Sequence, residues 1–144
     1  MARFNLQGGR RKLVYISLYE LIAIGIASTG LAAGAGASLE RAGVIAVVSS
    51  VIAVVWNLVY NTLFERWEAR QVVRGRSVRR RLAHAIGFEL GFLVVLVPLF
   101  AWWFGIGLQH ALVLEIGLAV FFLVYTFVFN WTFDKTFGLP AAAQ

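Results

Sequence analysis

RRKLVYISLYEL at residues 10–21 returns as RRRLAHAIGFEL at residues 79–90. Both segments open on three basic residues. Both close on an aromatic residue, a glutamate and a leucine: Tyr19-Glu20-Leu21 and Phe88-Glu89-Leu90. The offset is 69 residues, and at that offset the chain aligns with itself without a gap from Arg10 to Arg66. Gly36 falls on Gly105, Asn61 on Asn130, Phe64 on Phe133 and Glu65 on Asp134. Trp56 and Tyr60 fall on Tyr125 and Phe129. Shared apolar composition aligns leucines and valines by chance. It does not align an acid, an amide and a second acid at one offset, so the chain reads as two tandem copies, residues 1–72 and 73–144.

Each copy carries two long apolar stretches. They run over about residues 13–37 and 42–64, then 82–107 and 111–133. Each is long enough to cross a hydrocarbon core of roughly 30 Å at about 1.5 Å per residue. Hydrophobic residues make up 60% of the chain and charged residues only 14%, too little polar material to coat a soluble domain of 144 residues. The expected fold is an all-α membrane protein of four transmembrane helices, a parallel repeat of a two-helix hairpin.

Charge sets the expected orientation. Arg3, Arg10, Arg11 and Lys12 precede the first span. Arg66, Arg70, Arg74, Arg76, Arg79, Arg80 and Arg81 lie between spans two and three, and Lys135 follows span four. Of the 13 basic residues, only Arg41 falls in a hairpin on the other side. The positive-inside rule makes the basic face cytoplasmic, with both termini on it and the hairpins near Ser38–Arg41 and Gly107–His110 in the periplasm. The net charge of +6 is therefore a topology signal facing anionic lipid rather than a nucleic-acid surface. The first span is no signal peptide. Its apolar run is too long for one, Glu20 interrupts it, and the same pattern recurs in mid-chain.

Several chemistries are excluded. There is no cysteine, so no disulfide or thiolate metal site. His84 and His110 lie in different segments and form no metal pair. No phosphate-binding loop, dinucleotide fingerprint or Ser–His–Asp pattern is present, so neither an enzyme, a cofactor nor a metal is expected.

Span one carries Gly25, Ala27, Gly30, Ala33, Gly34 and Ala37. Small residues let helix backbones approach closely. They suit packing within the chain and a homodimer crossing alike. Span three puts Leu99, Trp102 and Trp103 where span one has Gly30, Ala33 and Gly34.

Polar groups inside the spans carry the functional reading. Glu20 and Glu89 sit about seven residues in, roughly 10–12 Å from the cytoplasmic start. A carboxylate at that depth is expensive and must be paired, hydrated or protonated. A carboxyl kept neutral by burial can give up its proton when a cation arrives, which is what a cation/proton exchanger requires. Asn57, Asn61 and Glu65 share one helix face at i, i+4 and i+8, and Thr126, Asn130 and Asp134 repeat them. An aromatic stripe runs beside each: Trp56, Tyr60 and Phe64, then Tyr125, Phe129 and Phe133. Interhelical packing accounts for the aromatics alone. Together with carboxylates on neighbouring helices they suggest a site for a lipophilic cation, with Tyr19, Trp56, Asn57, Tyr60, Asn61, Tyr125 and Asn130 as candidate contacts. Glu65 and Asp134 stand at helix ends that disfavour acids, beside Arg66 and Lys135. Their recurrence suggests a bond to the basic starts of spans one and three. Arg81 and His84 are one turn apart and supply polar support. Glu115 enters span four from the hairpin side and has no repeat partner, because Ala46 is its counterpart. It is an outer-side site or an interfacial residue.

These residues resemble the proteobacterial antimicrobial compound efflux (PACE) family, whose members look like two tandem bacterial transmembrane pair domains. Its first motif, Arg-x-x-His-Ala-x-x-aromatic-Glu, matches Arg81, His84, Ala85, Phe88 and Glu89 in full, and Lys12, Tyr15, Tyr19 and Glu20 in part. The second-helix motif resembles Trp56-Asn57, Tyr60-Asn61 and Phe64-Glu65. The fourth helix resembles it through Tyr125-Thr126, Phe129-Asn130-Trp131 and Phe133-Asp134. The resemblance covers nearly the whole chain. It implies efflux of amphipathic cationic biocides such as chlorhexidine, or of short diamines, driven by proton exchange, and it carries the family's functional carboxylate over to Glu20.

The expectation is thus an inner-membrane multidrug efflux transporter that takes cations and protons as partners. A membrane adaptor without transport and a passive cation channel are the alternatives. An adaptor needs no buried carboxylate, and a channel needs no proton gradient.

Overall fold

The computed structural model describes residues 4–140. They form four helices: α1 (Gly8–Ala35), α2 (Leu39–Ala69), α3 (Val78–Phe104) and α4 (Leu108–Phe137). All four are long and apolar enough to cross a membrane, with mean hydropathies of 1.6, 2.3, 2.1 and 2.4 over their most apolar windows. Large apolar side chains such as Val94, Leu123 and Phe127 point outward. Helices that are apolar all round are built for a lipid solvent, so the chain is an all-helical membrane protein.

The helices are longer than the apolar stretches that announce them. An apolar run marks where side chains meet hydrocarbon, whereas the backbone stays helical until something stops it. At the far ends of α1 and α3 the stop is glycine. Gly36 and Gly105 take the left-handed conformation, each with φ 63°, and their N–H groups return to the carbonyls of Ala32 and Ala101. Both caps and both acceptors are repeat equivalents. They end the helices two to three residues before the expected bounds of 37 and 107. At the other end α2 and α4 run on past Phe64 and Phe133, taking Glu65 and Asp134 into helical backbone. Ser77 starts α3 by accepting the Arg80 N–H, and Ser38 starts α2 by accepting the Arg41 N–H.

The helices form two compact units. One joins α1 and the first residues of α2 to α4 from Ile116 onward. The other joins α2 from Val44 to α3 and the first turns of α4, as far as Glu115. Each unit therefore pairs the first helix of one sequence repeat with the second helix of the other.

Burial follows the repeat. Leu31 and Phe100 are buried at equivalent positions, as are Ala27 and Leu96, Ser28 and Val97, and Ala42 and Ala111. Ala46 and Glu115 are a further buried pair. Each lies in the half of its helix nearer the Gly36 or Gly105 turn. Small residues in the first copy face the same need for close packing that larger ones meet in the second. In the connector between α2 and α3, Arg76 clasps Glu68 with two nitrogens at 3.0 Å, and Arg80 donates to the carbonyls of Val73 and Gly75. That turn also frames a hollow of about 260 Å³ lined by Glu65, Glu68, Arg74, Arg76 and Arg80.

Candidate functional site

The candidate residues gather in two clusters, one in each unit. In the α1–α4 unit, Tyr15 and Tyr19 stand one turn apart on α1 and face Tyr125, Phe129 and Phe133, spaced by four on α4. Tyr15 meets Phe129 and Phe133 edge-on at 5.3 and 5.1 Å, and Tyr19 meets Phe129 edge-on at 5.3 Å. Such edge-to-face contacts place ring hydrogens against a neighbour's π face, the favoured geometry of aromatic pairs. Three hydroxyls are satisfied within the cluster. Tyr15 donates to Oδ1 of Asn130, Tyr19 pairs with Thr126 at 2.8 Å, and Tyr125 donates to the Tyr19 carbonyl at 2.8 Å.

The α2–α3 unit repeats this plan with other residues. His84 takes the place of Tyr15 and reaches Oδ1 of Asn61 at 2.7 Å. Asn61 in turn donates its Nδ2 to Oδ1 of Asn57 at 2.7 Å. With the amide nitrogen used as donor, the Asn61 oxygen must accept, so His84 carries a proton on Nε2. His84 packs edge-on against Tyr60 at 5.1 Å and Phe64 at 4.7 Å. Trp56 donates its indole N–H to the Phe88 carbonyl at 3.0 Å, the counterpart of the Tyr125–Tyr19 bond. Tyr60 adds a bond to the His84 carbonyl at 2.9 Å that Phe129 cannot make.

Glycine makes the second cluster possible. Tyr60 and Trp56 lie against the bare backbone of Gly87 and Gly91, and a Cβ would overlap the Tyr60 hydroxyl at Gly87 and the Trp56 ring at Gly91. The equivalent positions on α1 hold Leu18 and Ile22. Two aromatic rings thus enter a notch in α3 that α1 does not have.

The carboxyls are placed less symmetrically. Glu20 follows Tyr19, is half-buried, and lies within electrostatic reach of the Tyr125 hydroxyl. Glu89 follows Phe88 but is exposed to the surroundings of the helix. Asp134 receives Arg11, whose guanidinium also donates to the Gly138 carbonyl and lies 5.0 Å over the Phe133 ring. Glu65, its counterpart, is exposed and borders the connector hollow, while Arg80, the counterpart of Arg11, is held by loop carbonyls over Trp67. Arg81 is exposed. Glu115 lies deep in the α2–α3 unit, 2% exposed.

Tyr15, Phe88, Gly87 and Gly91 stand in the clusters without being among the candidate contacts, whereas Thr126 belongs to the expected polar stripe and Arg11 supplies the bond expected between Asp134 and the basic start of span one. The repeat offset holds the signal for Tyr15: it is His84's counterpart just as Asn130 is Asn61's, so one polar pair implies the other. Nothing in the sequence marks Gly87 and Gly91 as notches, because a helical glycine has many uses.

A chlorhexidine efflux transporter family model matches the chain twice, over residues 7–70 and 76–139. The two matches repeat the sequence copies. The chain is 36% identical over 125 residues to a short-chain diamines transporter of Acinetobacter baylyi, covering 87% of this chain and 88% of the relative. It is 36% identical to one of Vibrio parahaemolyticus, with 86% and 88% covered. A third, of Acinetobacter baumannii, is 35% identical, with 87% and 86% covered. No solved structure matches the chain. Four apolar helices and this kinship make it a multi-pass protein of the bacterial inner membrane. Two tandem family matches and three similar transporters across most of its length lead to one conclusion: the chain belongs to the chlorhexidine efflux transporter family.

Proposed function

We propose that the protein exports cationic compounds, chlorhexidine-like biocides or short diamines, in exchange for protons, and that Glu20 is the exchanging group. The observation that carries this reading is a half-buried carboxyl, set within a membrane helix, beside the aromatic and hydroxyl cluster of Tyr15, Tyr19, Tyr125 and Phe129. Aromatic faces attract a cation and offer its apolar parts a surface. A carboxylate supplies the countercharge, and in hydrocarbon it is costly without one. The exchange balances simply. The Glu20 carboxyl O–H breaks, its proton leaves to water, and the carboxylate pairs with the arriving ammonium or biguanidinium. Reprotonation from the side of higher proton concentration releases the cation.

The family description and the relatives' names support the substrate class, and the basic ends of the helices support a cytoplasmic placement of both termini. Trp56, Tyr60, Asn57 and Asn61 form a second surface of the same chemistry around His84. Anionic lipid is the natural neighbour of the arginines between α2 and α3.

The test is reconstitution into proteoliposomes with an imposed proton gradient. Wild-type protein accumulates a cationic biocide and releases protons when the ligand is added. Glu20→Gln keeps the size and hydrogen bonding but cannot ionise, so it folds and loses both gradient-driven accumulation and the proton released at Glu20. Transport by Glu20→Gln against a gradient at the wild-type rate refutes the assignment. Flux that ignores the proton gradient marks a passive channel, and an absence of flux with intact ligand-free folding marks an adaptor.

A further inference from the structure

Glu115 is the most deeply buried acid among the described residues, and its Oε2 has no hydrogen-bond partner. It sits on α4 inside the α2–α3 unit. Its counterpart Ala46 is buried as well, so this is an interior position in both copies, and only the second copy fills it with a carboxyl. A buried group that leaves an oxygen unmatched calls for an explanation, because such groups are rare and costly. In the same unit Ser49 on α2 also buries a hydroxyl without a partner. Glu89 on α3, another acid, lies within electrostatic reach of Glu115 in the same unit. No cation within the unit answers either carboxyl through a salt bridge among the described residues. Two neighbouring acids without a fixed cation cannot both be ionised cheaply. They become a favourable pair only when cationic charge is brought to both.

We propose that Glu89 and Glu115 form a two-carboxylate site for a molecule with two cationic centres, such as an alkyl diamine. The proposal rests on the reading of the chain as a carrier of cationic compounds, but it does not involve Glu20. One ammonium meets Glu89, which is exposed and takes the first charge. The second reaches the interior and meets Glu115. The Glu115 O–H breaks, its proton leaves to water, and a carboxylate–ammonium pair replaces the orphaned oxygen. A monoamine of equal length answers one acid and leaves the other uncompensated, so the pair selects for dications. Chlorhexidine carries two biguanide groups and a short diamine two amines. The same arrangement of charge therefore serves both.

The experiment uses full-length protein in detergent and compares binding of 1,5-diaminopentane with that of n-pentylamine. Wild-type protein binds the diamine about tenfold or more tightly, the effect of losing one member of a buried charge pair. Glu20→Gln retains that preference. Glu115→Gln and Glu89→Gln bring the two ligands to within about twofold. If Glu115→Gln fails to fold, Glu115→Ala, which copies the natural residue of the first repeat, and the exposed Glu89→Gln decide the matter. A diamine preference that survives these substitutions, or a wild-type ratio near one, overturns the proposal. Intact diamine preference in a protein that shows no proton-coupled efflux instead overturns the exchange reading and leaves the two-carboxylate site standing.

Discussion

The cluster around Tyr15 and the cluster around His84 are built on the same frame, yet they spend it differently. Each has a side chain five residues before the glutamate bound to an asparagine on the facing helix. Each has an aromatic ring on that facing helix bound to the carbonyl just before the glutamate. In the first cluster the rings meet without a notch, and the carboxyl is half-buried. In the second, Trp56 and Tyr60 sink into α3 at Gly91 and Gly87, and the carboxyl beside them is exposed. The lesson concerns duplicated sites. The hydrogen-bond frame holds the helices, while the small residues behind it decide how far the rings enter and what remains for the acid.

Four measurements break or sharpen that comparison. The largest effect belongs to the acids. Glu20→Gln should weaken proton-linked cation binding about 30-fold or more, the cost of losing a partly buried charge partner, while Glu89→Gln leaves ligand-induced proton release at Glu20 in place. Equal loss of that release in both variants would erase the distinction between the clusters. Next comes the notch. Gly91→Ala forces a methyl into the Trp56 indole and should cost about 1–3 kcal/mol in thermal unfolding of the purified protein. Ile22→Ala, at the equivalent and outward-facing position, should cost about 0.5 kcal/mol or less.

A smaller effect belongs to the histidine. His84→Ala removes the Asn61 bond and should cost about 0.5–1.5 kcal/mol, whereas His84→Tyr imitates Tyr15 and should recover most of it. Failure of the tyrosine to do better than alanine would mean that the two frames are not interchangeable. The smallest effect lies at the helix ends. Asp134→Asn breaks the pair with Arg11, and because the aspartate is 36% exposed the loss should be about 0.2–1 kcal/mol. Glu65→Gln, exposed beside the connector, should change stability by about 0.5 kcal/mol or less.

The sequence makes the spans, their duplication and the two glutamates legible, because hydropathy and a gapless offset are local signals. Gly36 and Gly105 are legible as equivalent positions, but their role as caps needs the backbone. The pairing of helices is not legible. Periodicity tells which residues of α2 share a face with Asn61, but not whether that face meets the neighbouring first helix or the other repeat's. The burial of Glu115 is hidden for a related reason. Its place near a helix start fits a wet boundary as well as an interior one, and only the packing that also buries Ala46 separates them. The notches at Gly87 and Gly91 become visible once Tyr60 and Trp56 are known to face α3.

The interleaved pairing also bears on how the chain is assembled during synthesis. Bonds between α2 and α3 join residues 23 to 32 positions apart, whereas those between α1 and α4 join residues 106 to 123 apart. Closing the longer loop costs about 1–1.5 kcal/mol more in chain entropy, at roughly 0.6 kcal/mol per doubling of length. The α2–α3 hairpin can close as soon as its second helix emerges from the ribosome. Helix α1 must wait for α4. A chain interrupted after its first repeat therefore has neither cluster, since each needs one helix from both copies, and α1 keeps its tyrosines unpartnered until α4 is made.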